Sequence, residues 1–98
     1  MATATSGKIR LTILDPDAVV YRGEASTIFV AGETGEFELL PYHYPVLCLL
    51  KEDSDIIIDS NEFVTIRRGI LKLFKNECTI IAELAQDYAD YYKKKSLL

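Results

Sequence analysis

The groups best suited to chemistry in this 98-residue sequence are one histidine and two cysteines. His43 lies between Pro41 and Pro45 and is flanked by Tyr42 and Tyr44, whereas Cys48 and Cys78 both sit in apolar stretches. Zinc sites commonly take four nitrogen or sulfur ligands at suitable spacing, and these three residues do not form such a set. A nucleophilic Cys48–His43 pair is the one enzymatic reading they offer. A cysteine buried in an apolar strand is normally inert, because only the thiolate attacks. No serine stands in a nucleophile elbow. Gly32-x-x-Gly35 lacks the Gly-Lys-Ser/Thr end of a phosphate loop. Asp53-Ser54-Asp55 begins like a calcium loop, but Ile56-Ile57-Ile58 follows instead of oxygen ligands. Sites can assemble from scattered residues, yet the expectation is a non-catalytic chain with no metal and no cofactor.

Composition narrows the class of partner. The net charge of −4 and the pI of about 4.9 set the chain against phosphate backbones, so no nucleic acid is expected. Anionic membrane surfaces are disfavoured for the same reason. The densest apolar run, Val46 to Leu50, is far shorter than the ~20 residues of a membrane span, so no membrane insertion is expected. Residues 1–7 lack the apolar centre of a signal peptide. A cytoplasmic protein with free thiols in a reducing compartment follows. Hydrophobic residues at 49% and charged residues at 27% are ordinary for a globular domain.

The elements that must carry these residues are strands. Ile9, Leu11 and Ile13 alternate with Lys8, Arg10 and Thr12, the pattern of a half-buried strand. Asp15-Pro16-Asp17 breaks it with turn residues. Further strands are predicted over 18–22 (stopped by Gly23), 24–31, 36–40, 46–51, 55–59, 62–67, 70–74 and 78–84. Ser60-Asn61 and Lys75-Asn76 read as hairpin turns. Short strands at close spacing predict an all-β fold, an antiparallel β-sandwich of about nine or ten strands over residues 8–84. From Ala85 the period changes. Tyr88, Tyr91 and Tyr92 fall at helical spacing ahead of Lys93-Lys94-Lys95, so 85–98 is predicted as a short helical or irregular tail.

One stretch carries a resemblance. Gly32-Glu33-Thr34-Gly35-Glu36-Phe37-Glu38-Leu39-Leu40-Pro41-Tyr42-His43-Tyr44-Pro45-Val46-Leu47 resembles the signature of the epsilon subunit of bacterial F-type ATP synthases. That family typically reads Gly-x-x-Gly-x-Phe-Gly-Ile-Leu-Pro-x-His-x-Pro-Leu. Leu11 to Pro16 with Val20 to Glu24 is similar to its opening hairpin, and Cys78 to Ala85 to its last strand. Glu38 departs from the family's glycine, Tyr44 from a small residue, Arg67-Arg68-Gly69 from Ser-Gly-Gly, and Lys51-Glu52-Asp53 from a Pro-Gly turn. Only 13 residues follow Ala85, too few for the pair of regulatory helices of longer members, so the expectation is the short form without that hairpin.

The resemblance implies a central-stalk rotor subunit, peripheral to the cytoplasmic face of the cell membrane. It would link the gamma subunit to the cytoplasmic loops of the membrane ring and help couple ion flow to ATP synthesis. By position, Glu36 belongs to the loop facing the ring, and His43 and Cys48 point toward gamma. Gly35 can take the turn, while Pro41 and Pro45 each fix φ at about −65°. That frame would also present Glu33, Tyr42 and Tyr44 with little entropy left to lose on docking. The plainer readings are a solvated strand-end carboxylate for Glu36, a hydrogen-bonded loop residue for His43 and a core thiol for Cys48. Two other classes stay open: a stand-alone ligand- or peptide-binding β-sandwich, and a small enzyme using Cys48.

Overall fold

The computed structural model describes residues 7–85, all of them strand, turn or coil. Eight strands follow in order: β1 Ile9–Asp15, β2 Ala18–Ala25, β3 Ile28–Gly32, β4 Gly35–Leu39, β5 Val46–Leu50, β6 Ser54–Ile58, β7 Glu62–Phe74 and β8 Glu77–Leu84. The expected tail beyond Ala85 lies outside the described residues. Among the described residues no helix is long and apolar enough to cross a membrane.

The sandwich depends on the 13-residue strand β7. Its first half pairs antiparallel with β6, and its second half with β5. A register shift between Ile66 and Arg68 marks the change. One layer therefore runs β2-β1-β8-β7-β5, and the other runs β4-β3-β6-β7. A single bridge from Gly32 to Leu50 joins β3 to β5. All pairings are antiparallel except β1 with β8.

Period-two alternation fills the space between the layers. Ile9, Leu11 and Ile13 are at most 1% exposed, as their spacing predicts, and they join Ile28, Val30, Leu39, Ile56, Ile66, Leu71 and Ile80 in one core. Among the described residues no polar or charged side chain is buried, so the core bears no desolvation cost. Each fully buried isoleucine or leucine contributes about 1.5–3 kcal/mol.

Two glycines correct the predicted boundaries. Gly23 does not end β2; it pairs with Leu11 in mid-strand. A Cβ there would lie 3.2 Å from the Tyr21 hydroxyl, so glycine makes room for an aromatic ring lying over the backbone. Gly69 does not separate two strands either. A Cβ at Gly69 would meet the Ile81 carbonyl at 3.1 Å and the Ala82 side chain at 3.2 Å, which reflects close approach within a continuous, bulged strand. Residues 62–67 and 70–74 are thus one element. The count among the described residues is eight rather than nine or ten.

Candidate partner-binding surface

The sequence that links β3 to β5 crosses the whole sandwich and returns. Glu33 follows β3, and its N–H donates to the Leu49 carbonyl at 3.1 Å, which places it at the end of β5. Glu36 stands opposite Ala31, exposed on the outer face of β4. Lys51, Glu52 and Asp53 lie at the same end, where the Lys51 N–H bonds the Ala31 carbonyl at 2.8 Å. A shallow groove there is lined by Glu33, Glu36, Lys51 and Glu52. This end is acidic and open.

Tyr42, His43 and Tyr44 occupy the opposite end, beyond the start of β5. Five strand residues separate the two ends, about 17 Å. The stretch that is continuous in sequence is therefore two surfaces, Glu33 with Glu36 and Tyr42 with His43 and Tyr44. Tyr42 is 60% exposed and Tyr44 83%, whereas His43 is half-buried. The His43 Nδ1–H donates to the Tyr44 carbonyl at 2.9 Å, and the two rings meet edge-on at 6.0 Å. The His43 N–H closes a turn on the Leu40 carbonyl at 3.1 Å. Glu38, the departure from glycine, is exposed on β4 next to Phe29 and has no positive φ. Glycine is not required there.

Cys48 belongs to neither end. It sits opposite Leu71 and packs half-buried against the core. Cys78 stands opposite Leu73, on the far side of β7. Two strand spacings, about 10 Å, exceed the Cα separation of a disulfide, and both thiols are free. Burial pushes the Cys48 thiol up, and burial with the neighbouring Cys48 pushes Cys78 from 9.0 to about 12. These shifts run opposite to what a nucleophile needs. They also fix a sign. A thiol whose pKa rises on folding contributes stability below its unfolded pKa and loses it as pH climbs toward the folded value. Stability should therefore fall between about pH 9 and 12, and Cys78→Ala should flatten that fall in urea titrations. At pH 8 a thiol reagent should label Cys48 slowly and Cys78 only after unfolding. Fast labelling of both in the native state would refute this environment.

The side chains flanking Cys48 show what the sequence reading missed. Leu47 and Leu49 alternate with it and point outward, 72% and 51% exposed. Leu49 faces Ile70, Ile70 faces Ile81, Ile81 faces Leu14 and Leu14 faces Val19. One apolar row thus crosses five strands, about 19 Å of sheet. Ile70 is 37%, Ile81 54% and Val19 46% exposed. A contiguous apolar band of this kind is a candidate interaction face. The groove along it is rimmed by Glu33, Glu52, Arg68 and Glu83, and Arg68 pairs with Glu83 at 3.2 Å. The adjoining row is largely polar, running Lys72, Thr79, Thr12 and Arg22 from Leu47. The only signal in sequence was the two leucines within Val46 to Leu50, and that run reads equally well as buried throughout. Among the described residues no group of His, Cys, Asp and Glu could hold a metal ion.

The family described as ATP synthase, Delta/Epsilon chain, beta-sandwich domain, matches residues 8–87. The ATP synthase epsilon chain of Sulfurimonas denitrificans is 32% identical over 84 residues, covering 78% of this chain and 61% of the relative. That of Delftia acidovorans is 29% identical over 91 residues, covering 90% and 66%. The chain thus spans less than two thirds of these relatives' length. In the central stalk and c-ring of the Tetrahymena thermophila mitochondrial ATP synthase, one chain superposes with a TM-score of 0.63 at 16% identity, over 91% of this chain and 90% of that one. A chain of the Euglena gracilis mitochondrial ATP synthase gives 0.67 at 14%, over 91% and 63%. At those identities the two structures speak for the fold alone. With the family matched across every described strand, this chain belongs to the ATP synthase delta/epsilon family and forms its β-sandwich domain.

Proposed function

We propose that the domain is a non-catalytic rotor component of an F-type ATP synthase. It links the gamma subunit to the loops of the membrane ring and helps couple ion translocation to ATP synthesis, on the cytoplasmic face of the membrane and with no cofactor of its own. The observation that carries this reading is the layout of the surface. An acidic end and an aromatic end lie at opposite poles of a rigid sandwich, and an apolar row crosses one of its faces beside the acidic end. A coupling piece needs two separate contacts held at fixed distance, and a continuous sheet supplies that stiffness. A stand-alone ligand-binding module needs one concave site instead, and the relatives are named as chains of an assembly.

Within this reading Glu33 and Glu36 face the ring. His43, Tyr42 and Tyr44 face gamma, together with Leu47 and Leu49 on either side of Cys48. Glu36→Arg should leave the isolated domain folded, because an exposed charge change usually moves stability by less than about 0.5 kcal/mol. It should weaken attachment to the ring and lower ion-coupled ATP synthesis in reconstituted vesicles. His43→Ala should loosen gamma binding in a pull-down or by calorimetry. Parent-like assembly and coupling in both variants would move the contacts elsewhere on the domain.

A further inference from the structure

Tyr42, which opens the aromatic segment, is held in a backbone conformation its own side chain disfavours. Tyr42 has φ of 68°, left-handed backbone that is an outlier for a bulky side chain and persists only where its surroundings impose it. Its N–H donates to the Asn76 side-chain oxygen at 2.6 Å. Asn76 is the second residue of the β7–β8 turn, where Lys75 and Asn76 have φ of 50° and 61°. Both values are positive, as in the mirror-image turns that suit hairpins, and glycine is the usual residue at that second position. Asparagine tolerates it less well, but it carries an amide that glycine lacks. The Asn76 main-chain carbonyl accepts the Arg10 N–H at 2.8 Å. One residue therefore ties β1, the β7–β8 turn and the aromatic segment together.

We propose that Asn76 is a latch, a positioning residue that keeps Tyr42, His43 and Tyr44 in their docking conformation before the partner arrives. The docking half of this inference rests on the rotor reading above. An unlatched segment would sample other conformations, and its apparent affinity would drop by the fraction of time spent in the competent one. Losing one hydrogen bond of this kind shifts such an equilibrium by roughly 3- to 10-fold.

Two variants of the full chain separate the possibilities. Asn76→Gly keeps the turn's backbone preference and removes the acceptor. Asn76→Asp keeps an acceptor oxygen. In the free chain, hydrogen exchange at the Tyr42 amide should quicken by roughly 3- to 10-fold in Asn76→Gly and stay near the parent in Asn76→Asp. Binding to the gamma subunit should weaken by the same factor in Asn76→Gly, chiefly through slower association, with Asp restoring it. Unchanged Tyr42 exchange in Asn76→Gly would overturn the latch. Faster exchange with undiminished gamma binding would overturn its role in docking. Equal loss of thermal stability in both variants would make Asn76 a turn residue and nothing more. Failure of the parent chain to bind gamma would sink the rotor reading and the docking role with it, while the exchange result still decides the latch.

Discussion

Ile80→Ala should destabilise the domain by about 2–5 kcal/mol, whereas Ile81→Ala, one residue on, should cost about 1 kcal/mol or less. The two positions share residue type, strand and backbone environment. They differ in face: Ile80 is 0% exposed and Ile81 54%. Ile80 sits mid-layer on β8, opposite Leu71 on one side and Ile13 on the other. Its truncation leaves a cavity walled by two strands that cannot both close in. For a domain of this size, total stability is about 5–15 kcal/mol, so a loss near the top of the expected range leaves the fold marginal. The thermal midpoint should drop by about 10–25 °C for Ile80→Ala and by only a few degrees for Ile81→Ala. Urea unfolding is the better measurement, because an unchanged slope would show that both variants unfold the same structure. Comparable losses at the two sites would mean that β8 does not alternate between core and solvent as described.

That alternation explains why some of the fold was legible from the sequence and some was not. Ile9, Leu11 and Ile13 could be assigned to the core at once, because a half-buried strand writes its burial into a two-residue period. Gly23 and Gly69 misled, because the reasons for them lie outside their own segments. One makes room for the Tyr21 ring, and the other lets β7 approach the Ile81 carbonyl. A local reading sees only a residue that breaks strands. The candidate site divides in the same way. Glu36 and His43 came from a motif, and the motif was right about the family. The resemblance assigned them to different partners, but it could not convey the strand path that sets them at opposite ends of the sandwich. The apolar row was hidden for a further reason. Leu49, Ile70, Ile81, Leu14 and Val19 come from five strands, and only strand order and register make them neighbours. Cys48 drew attention through its chemistry, while the two leucines beside it hold the exposed positions.

Under the rotor reading proposed above, with gamma as the partner, the largest functional effect is expected in that row. Ile81 lies at its centre, between Ile70 and Leu14, so a partner covering the face must desolvate it completely. Ile81→Asp should leave the free domain folded, because the side chain already looks into water. On docking, its carboxylate would be buried against an apolar partner, and the rim cation Arg68 is already paired with Glu83. An uncompensated buried charge costs about 3–5 kcal/mol, which corresponds to at least ~100-fold weaker binding of the gamma subunit. Thr79→Asp is the matched control, since Thr79 lies two residues away on the same face, in the polar row beside Lys72 and Thr12. There the new charge has a lysine directly opposite, and the change in affinity should stay within about threefold. Titration of each variant against isolated gamma, with circular dichroism to confirm folding, gives both numbers. Equal losses at the two sites would mean that the contact covers the whole face without regard to its apolar band. Unaltered binding by a folded Ile81→Asp domain would remove this face from the gamma interface and leave the aromatic end to make that contact alone.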